Sequence, residues 1–476
     1  MPPSNIIGVT LVAALFGTGC IARDGSSAQP VITLEPAIRF QTMVGWEATA
    51  QAGQEEPGSS RYLDTVLALA VNEIGINRLR LEVRSGAENS IDYWSAMRTG
   101  RIDYKTWRCA RYPTVNDDAD PQHITEAGFH WTDLDSKVEQ VVLPVKRRME
   151  ANGEKLYLNL NYVSFMKRGL CAGHAYGHND PEEYAEFVLA AVTHLRTKYG
   201  LVPDALEVAL EPENNIHWQD GAVLGRAIVA ATRRLRAAGF NLDIIAPSTT
   251  KMSNAVKYLE DLARVPGALE LVTELSYHRY SGVSEKNLRA IATEAGKHGL
   301  RTAMLEHIGS GHEDLHDDLE IGMNSAWQQY TLAFPGSPTE PTRSGGSYIT
   351  LETSDTLRPV VRIAEQTKFL RQYFRFVRRN AVRIGAASDD DRFRPLAFIN
   401  SDSAFVVVVK ASAGGTLSIK GLPIGMYGVS FATADSSGAV EPARVAGTTF
   451  SASIPAAGVI TIYQRSDVVQ RSEGKM

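Results

Sequence analysis

Cysteine is scarce in this sequence. The chain of 476 residues contains only Cys20, Cys109 and Cys171, and no two of them stand in a CxxC pair. Structural zinc sites are built from closely spaced cysteine and histidine ligands. We therefore expect no structural zinc in this protein.

An excess of charge of one sign is also missing. The formal net charge is −5 and the isoelectric point is about 6.2. Proteins that bind nucleic acid or anionic membranes usually present a basic surface. We therefore expect no nucleic-acid partner and no electrostatic attachment to a membrane.

The N-terminus has the features of an export segment. Residues 6–16 (IIGVTLVAALF) form an apolar run too short to span a bilayer, and small residues then lead to Cys20. This arrangement resembles a bacterial lipoprotein cleavage site at which Cys20 is lipidated, although no Lys or Arg precedes the run. We assign residues 1–20 to export and 21–30 to a linker; a buried N-terminal strand is the alternative. The protein is then expected in the periplasm, on the outer membrane through a lipid anchor, or secreted.

Whether the other two cysteines can form a disulfide depends on whether the protein is exported. In an oxidising compartment Cys109 and Cys171 form an even pair, so a disulfide between them is allowed. Two unpaired buried thiols are the alternative.

Short apolar runs and longer amphipathic stretches alternate through most of the chain. The runs predicted as strands include 79–83 (LRLEV), 156–160 (LYLNL), 206–210 (LEVAL), 244–246, 271–276 (LVTELS) and 302–305 (TAML). Regular alternation of strand and helix is typical of a parallel sheet covered by helices. Over residues 41–378 the number of units favours a (β/α)8 barrel. A doubly wound open sheet is the alternative, but no GxGxxG follows the first strand.

The pattern changes after residue 378. Short runs such as 405–410 (FVVVVK) and 458–463 (GVITIY) are separated by Gly, Ser, Asp and Pro. This is typical of an antiparallel β-sandwich, which we place at 379–468, before a tail at 469–476. Residues 31–40 are expected to add an N-terminal strand to this side domain.

One long connection interrupts the barrel pattern. Residues 85–130 follow the second predicted barrel strand and contain four aromatic residues, Tyr93, Trp94, Trp107 and Tyr112. Long loops in compact domains are usually functional, and in a barrel they lie at the catalytic face. These rings could stack on a ligand or pack the core of a small subdomain, and the sequence does not favour either explanation.

Charged residues stand on or at the ends of several predicted strands. Arg78, Arg80 and Glu82 share one face of their strand because side chains alternate. This strand ends at the rim where barrel enzymes keep their catalytic residues, and an ion pair inside the barrel without a catalytic part is the alternative. Glu211, followed by a proline, ends one strand, and Glu306 ends another.

Two carboxylates on opposite strands of one barrel match the needs of glycoside hydrolysis. One carboxyl gives its proton to the leaving oxygen, and the other, as a carboxylate, attacks the anomeric carbon. A neutral, polyhydroxylated substrate also fits the absence of a strong net charge.

Four motifs carry a resemblance to a known family, in this order: GINRLRLEV at 75–83, EPEN at 211–214, SYHRY at 276–280 and LEH at 305–307. Together they resemble the clan A glycoside hydrolases, and within that clan family 30. Residues 162–167 (YVSFMK) stand where the family has a Trp-Met-Lys segment, and 369–384 resemble its last helix. The resemblance covers roughly residues 40–463.

The resemblance implies a role for each matching residue. Glu211 would be the general acid/base and Glu306 the nucleophile. Arg80 and Tyr280 would hold Glu306, and His278 would line the sugar subsite.

One position departs from the clan's pattern. The clan has Asn directly before the acid/base, where it binds the sugar 2-hydroxyl, and this chain has Leu210. Asn161 or Asn214 could replace that contact, or the substrate is altered. Loss of catalysis is a further alternative.

Several other residues are candidates near the site. Glu213 is the rival of Glu211 for the acid role, and Trp46 and Trp218 are candidate substrate-binding residues; packing in the core is the alternative for Trp218. A loop after Glu306 holds further histidines and acidic residues, which we interpret as a solvated loop and not as a metal site.

The sequence therefore predicts a retaining β-glycosidase that acts on a carbohydrate without cofactor or metal. The alternatives are a non-catalytic, cell-surface glycan-binding protein on a hydrolase-like barrel, and a barrel hydrolase that inverts or cleaves another bond type.

Overall fold

The computed structural model of the chain describes residues 29–56, 58–165, 178–335 and 346–465. Cys20, the export segment, residues 166–167 of the YVSFMK motif and Cys171 lie outside these ranges. Two bodies of secondary structure follow from the described residues, a barrel and a separate β-sheet domain.

A closed barrel forms the larger body. After a first strand, β1 (Val31–Thr42), come the eight barrel strands: β2 (Gly45–Ala52), β3 (Arg78–Arg84), β4 (Tyr157–Val163), β5 (Ala205–Glu207), β6 (Asp243–Lys251), β7 (Glu274–Ser281), β8 (Arg301–Glu306) and β9 (Asn324–Pro335). All neighbouring pairs are parallel, and β9 pairs with both β8 and β2, which closes the ring. The predicted (β/α)8 barrel is confirmed, and the open doubly wound sheet is excluded.

The helices surround this barrel. The described residues form α1 (Leu63–Ala68), α2 (Tyr93–Arg98), α3 (Tyr104–Ala110), α4 (Thr132–Lys137), α5 (Leu143–Ala151), α6 (Pro181–Tyr199), α7 (Gly221–Ala237), α8 (Ala255–Ala263), α9 (Glu285–Lys297), α10 (His312–Glu320) and α11 (Thr367–Phe374). Their boundaries follow local chemistry. Asp180 caps the backbone N–H of Glu182 at the start of α6, and Gly200, with a φ of 65°, ends it. Within the described ranges, none of the helices combines the length and the apolar character needed to cross a bilayer.

The side domain is a sheet of nine strands. A hairpin of β10 (Ser347–Glu352) and β11 (Val360–Ile363) first extends the barrel beside β9. The sheet then contains β12 (Val382–Ser388), β13 (Phe393–Ile399), β14 (Phe405–Ala411), β15 (Gly415–Lys420), β16 (Gly425–Thr433), β17 (Ser437–Val445), β18 (Thr449–Ile454) and β19 (Gly458–Gln464). Strand β1 lies between β12 and β15, so both ends of the described chain meet in this mostly antiparallel sheet. The predicted β side domain is confirmed.

The long connection at 85–130 folds into a small helical subdomain. Trp94 and Trp107 are buried and pack edge to face, with ring centroids 5.2 Å apart. The guanidinium groups of Arg84 and Arg111 each lie 5.3 Å from the Trp107 ring. These two tryptophans therefore pack the subdomain and are not free to stack on a ligand. Cys109, on α3, is disulfide-bonded.

Charged side chains fill the lower part of the barrel interior. Arg78 forms ion pairs with Glu47 and with Glu274, the latter at 2.7 Å, and all three side chains are fully buried. The alternative of an ion pair inside the barrel therefore holds at Arg78. Burial of a charge is tolerated only when partners of opposite charge surround it.

Candidate active site

Glu306 is the last residue of β8, at the carboxyl end of the barrel. Its carboxylate accepts a hydrogen bond from Nη2 of Arg80 and another, of 2.8 Å, from the hydroxyl of Tyr280. Only 7% of Glu306 is exposed. Burial, together with the charge of Glu306, raises the pKa of Tyr280, so this hydroxyl remains a donor. Two donors thus orient the Glu306 carboxylate.

Glu211 reaches the same cavity from the other side of the barrel. The strand β5 ends at Glu207, earlier than the predicted 206–210, but the following residues stay tied to neighbouring strands. Leu210 N–H donates to the carbonyl of Tyr162 at 3.0 Å, and Glu211 N–H donates to that of Ser248 at 3.1 Å. Glu211 therefore stands between β4 and β6 although the regular strand has ended.

The backbone of Glu211 is strained. Its φ of 48° and ψ of 64° lie in the left-handed region, which costs a non-glycine residue on the order of 1–3 kcal/mol. Such conformations are concentrated at functional sites, where the surrounding structure enforces them. The effect here is to turn the side chain of Glu211 into the cavity, where 8% of the residue is exposed.

Two side chains hold the Glu211 carboxylate. Asn214 Nδ2 donates to its Oε2 at 2.5 Å, and His278 Nδ1 lies 3.1 Å from its Oε1. Asn214, one of the two candidates for the contact that Leu210 cannot make, thus contacts Glu211. His278 was expected to line the sugar subsite, but its ring is fully buried, so its contact is with the carboxylate.

The protonation of His278 depends on the neighbouring carboxylates of Glu211 and Glu306. Burial alone lowers the pKa of His278, but the hydrogen bond to Glu211 and the charges of Glu306 and Glu211 outweigh burial and raise it. The folded protein therefore binds this proton more tightly than the unfolded chain. The resulting stabilisation is complete below the unfolded pKa of about 6.5 and is lost as pH rises through the higher folded pKa.

This coupling predicts a pH-dependent stability difference. Wild type should exceed His278→Gln in free energy of unfolding by more at about pH 5.5 than at about pH 8.5. Urea unfolding of both proteins at several pH values measures that difference. A difference that stays constant, or grows toward alkaline pH, contradicts the raised pKa.

The two carboxylates approach each other closely. One oxygen of Glu211, one oxygen of Glu306 and one ring nitrogen of His278 all lie within 4.8 Å of one another. Within the described ranges, this is the only cluster of at least three His, Cys, Asp or Glu residues whose geometry would suit a metal ion. In it, Glu211 is bound to His278, and Glu306 is bound to a guanidinium and a phenol. We keep the prediction that the site works without metal.

Glu213, the rival acid, is not part of the cluster that contains Glu211, His278 and Glu306. Its carboxylate accepts hydrogen bonds from Thr250 N–H at 2.9 Å and from Asn254 Nδ2 at 3.2 Å. It therefore fixes the turn after β6. Glu211 is the residue that shares a cavity with Glu306.

The expectation for Trp46 was wrong, and for Trp218 the alternative of packing in the core holds. Glu47 points into the barrel, so its neighbour Trp46 points outward, where its ring stacks on Phe374 at 4.5 Å and only 1% of the residue is exposed. Trp218 is also 1% exposed and packs against Tyr184. Neither ring can reach a sugar in the site.

The histidines after Glu306 are dispersed. His307 Nδ1 lies 2.8 Å from Ser310 Oγ, His312 stacks on Phe369, and His316 Nδ1 lies 3.0 Å from the Tyr373 hydroxyl. Each has its own local partner. The expectation of a solvated loop was wrong, because His312–Glu320 form the helix α10, on which His316 is fully buried.

Asn161 remains the candidate for the contact that Leu210 cannot make. It is fully buried on β4, and neither its amide oxygen nor its amide nitrogen has a hydrogen-bond partner among the described residues. Leu210 is 6% exposed and has no polar side-chain atom. A polar group with unused capacity therefore stands on the strand beside Glu211.

Two site residues were missed by the sequence interpretation. Glu82 was named with Arg78 and Arg80 on the charged face of its strand but was given no role of its own, and Tyr330 on β9, near Glu306 and Glu82, was not considered. The alternation of Arg80 and Glu82 was available as evidence, because it places both side chains on the interior face. Nothing in the local sequence distinguishes Tyr330.

Comparisons with known proteins support the fold. No protein-family model matches the chain, and no curated protein sequence matches it either. Among solved structures, the catalytic domain of the family 30 xylanase C from Talaromyces cellulolyticus is 16% identical, with a TM-score of 0.63 over 92% of this chain and all of that domain. An endo-β1,6-glucanase is 15% identical, with a TM-score of 0.61 over 91% of this chain and 94% of its own.

A conserved exported protein from Bacteroides fragilis is similar to the same degree. It is 14% identical, with a TM-score of 0.65 over 91% of this chain and 100% of that one. Likeness at such identities establishes the fold. The chain thus has the barrel and side domain of glycoside hydrolase family 30 structures, with a strongly divergent sequence.

Proposed function

We propose that the protein is a retaining β-glycosidase. The observation that carries the proposal is the approach of Glu211 and Glu306, which have oxygens within 4.8 Å of each other. Carboxyl groups of retaining enzymes stand about 5–5.5 Å apart, whereas inverting enzymes keep them about 6.5–9.5 Å apart to admit a water. The solved structures with this fold include a xylanase and a glucanase, which supports a carbohydrate substrate.

The contacts of the two residues suit different roles in the first step. Glu306, held by Arg80 and Tyr280, attacks the anomeric carbon as the carboxylate. The bond from that carbon to the leaving oxygen breaks, and Glu211 transfers its proton to this oxygen. A covalent glycosyl ester of Glu306 results.

Water completes the reaction in the second step. Glu211, now a carboxylate, takes a proton from the water, and the water oxygen attacks the anomeric carbon. The ester bond to Glu306 breaks, and the sugar leaves with its original anomeric configuration. Two inversions give net retention.

The configuration of the first product tests this proposal. A screen of aryl β-glycosides first identifies a substrate, and proton NMR then follows the anomer formed in the first minutes. The β-anomer is expected. The α-anomer would show an inverting enzyme and would contradict the role of Glu306 as nucleophile.

Tyr280 should contribute to the reactivity of Glu306. Tyr280→Phe removes the 2.8 Å hydrogen bond to the carboxylate while keeping the ring. A hydrogen bond to a charged group is worth about 1.5–3 kcal/mol, so we expect kcat/KM to fall about 10- to 100-fold. Steady-state kinetics on the best aryl glycoside measures the effect, and an unchanged value contradicts the contact.

A non-catalytic glycan-binding protein is the second candidate. Leu210 favours it, because the residue before Glu211 offers no hydrogen bond to a sugar. In that case wild type, Glu211→Gln and Glu306→Gln would bind oligosaccharides alike and none would release product. Turnover by wild type alone excludes this candidate.

We also propose that the protein is exported through its N-terminal segment, with lipidation at Cys20. The apolar run at 6–16 and the small residues before Cys20 support this, and an exported protein shares the fold.

A further inference from the structure

A third carboxylate stands beside the proposed catalytic pair. Glu82 lies on β3, on the same face as Arg80, near the carboxyl end of the barrel. Only 7% of the residue is exposed. The proposed two-step reaction gives it no task, although a buried carboxylate in a catalytic cavity is costly to retain.

The same guanidinium nitrogen joins Glu82 to Glu306. Nη2 of Arg80 donates to Glu306 Oε2 and also lies 3.4 Å from Glu82 Oε1. The two carboxylates therefore flank one nitrogen. Glu82 stands within the reach of a single sugar ring whose anomeric carbon faces Glu306.

The hydrogen-bonding capacity of Glu82 is largely unused. A carboxylate accepts about four hydrogen bonds. Besides the long contact with Arg80, its nearest cation is Nη2 of Arg84 at 3.9 Å, which exceeds hydrogen-bond length. Lys137 Nζ binds the backbone oxygen of Glu82 and not its side chain. No other donor among the described residues satisfies this carboxylate.

Two tyrosines, Tyr330 and Tyr112, lie near Glu82. Burial raises the pKa of Tyr330, and the charges of Glu306 and Glu82 add to the effect. Burial likewise raises the pKa of Tyr112, and Glu82 contributes there too. Glu82 and the proposed nucleophile Glu306 therefore both lie close to Tyr330.

We propose that Glu82 is a sugar-binding residue that accepts hydrogen bonds from ring hydroxyls of the glycosyl unit attached to Glu306. The proposal rests on the proposed glycosidase function. It names the substrate class as a neutral sugar with free hydroxyls on the side of the ring that faces β3. A structural role is the competing explanation, in which Glu82 only balances the charges of Arg80 and Arg84.

Glu82→Gln separates the two explanations. The variant keeps the size of the side chain and one acceptor oxygen but removes the charge. Rates are measured on the best aryl β-glycoside and on its monodeoxy analogues, each lacking one ring hydroxyl. We expect kcat/KM to fall about 10- to 100-fold on the parent, and by less than about threefold on the analogue that lacks the bound hydroxyl.

Asp133→Asn is the matched control. Asp133 binds Arg84 and also Lys137 at 3.0 Å, so the variant disturbs the same ion network from behind the cavity. It should affect the parent and all analogues by the same factor. If Glu82→Gln shows that uniform pattern, or no loss, the sugar-binding role is overturned. A wild type that cleaves none of the glycosides contradicts the proposed function itself.

Discussion

Glu306→Gln is expected to lower kcat by a factor on the order of 10⁴ or more on every substrate, whatever the leaving group. The neutral amide of glutamine is a much weaker nucleophile than a carboxylate, and it has no carboxylate oxygen with which to form the glycosyl ester. Arg80 and Tyr280 would still surround the side chain, because the substitution is isosteric. Stopped assays with aryl glycosides and with oligosaccharides measure the loss.

The control for this variant is Glu313→Gln. Glu313 lies on α10, shortly after the same strand, and its side chain is 67% exposed where it pairs with Lys410. A surface pair of this kind contributes little, so its removal should leave kcat within about twofold. Residual activity above about 1% in Glu306→Gln would contradict the assignment of the nucleophile.

A small nucleophile added to the assay provides a second test of the role of Glu306. Glu306→Ala leaves a space beside Arg80, and azide added to the assay can occupy it. Attack by azide on the anomeric carbon of a β-glycoside is then a single inversion and yields the α-glycosyl azide. Recovery of the β-azide would point to a different nucleophile.

Glu211→Ala is expected to give a loss that depends on the leaving group. General acid catalysis contributes about 10²- to 10⁴-fold, and we expect losses of that size for sugar leaving groups. A 2,4-dinitrophenolate leaves without a proton, so its release in the first step should change by less than about tenfold. The lost base then slows the second step, and azide should restore turnover and give the β-glycosyl azide.

Glu213→Gln is the control for Glu211. Glu213 binds Thr250 and Asn254 and lies outside the cavity pair. Relative to wild type, any loss of rate in this variant is expected to be the same for all leaving groups. If Glu213→Gln showed a loss that depends on the leaving group and Glu211→Ala did not, the two roles would have to be exchanged.

Much of the architecture could be predicted from the sequence. Alternating strands and helices encode the barrel, since a β-branched run and an amphipathic helix have distinct periods. The interior face of β3 was also predictable, because Arg80 and Glu82 alternate with leucine and valine. The carboxylates at Glu211 and Glu306 followed from strands that end in an acidic residue.

The local surroundings of those residues were less predictable. Trp46 was expected to bind substrate, yet the alternation of side chains along β2 turns its ring outward onto Phe374. His278 and Asn214 both hold Glu211, a contact that requires the left-handed turn at Glu211 to be known. Pairings across distant strands leave no local pattern in the chain.

The long segment at 85–130 illustrates the same limit. Its aromatic content allowed both a ligand platform and a packed subdomain, and Trp94 and Trp107 are buried against each other. The choice depends on Arg84 and Arg111, whose guanidinium groups both lie over Trp107. Trp107, 23 positions after Arg84 in the sequence, meets it only after the subdomain has folded.

Covalent trapping tests most directly whether Glu306 is the nucleophile. A 2-deoxy-2-fluoro glycosyl fluoride, with the sugar that the screen identifies, should react once and add the mass of one glycosyl group to the protein. Peptide mapping by mass spectrometry should then locate that mass on Glu306. A label on any other residue, or no label on a protein that hydrolyses the parent glycoside, would contradict the two-carboxylate account.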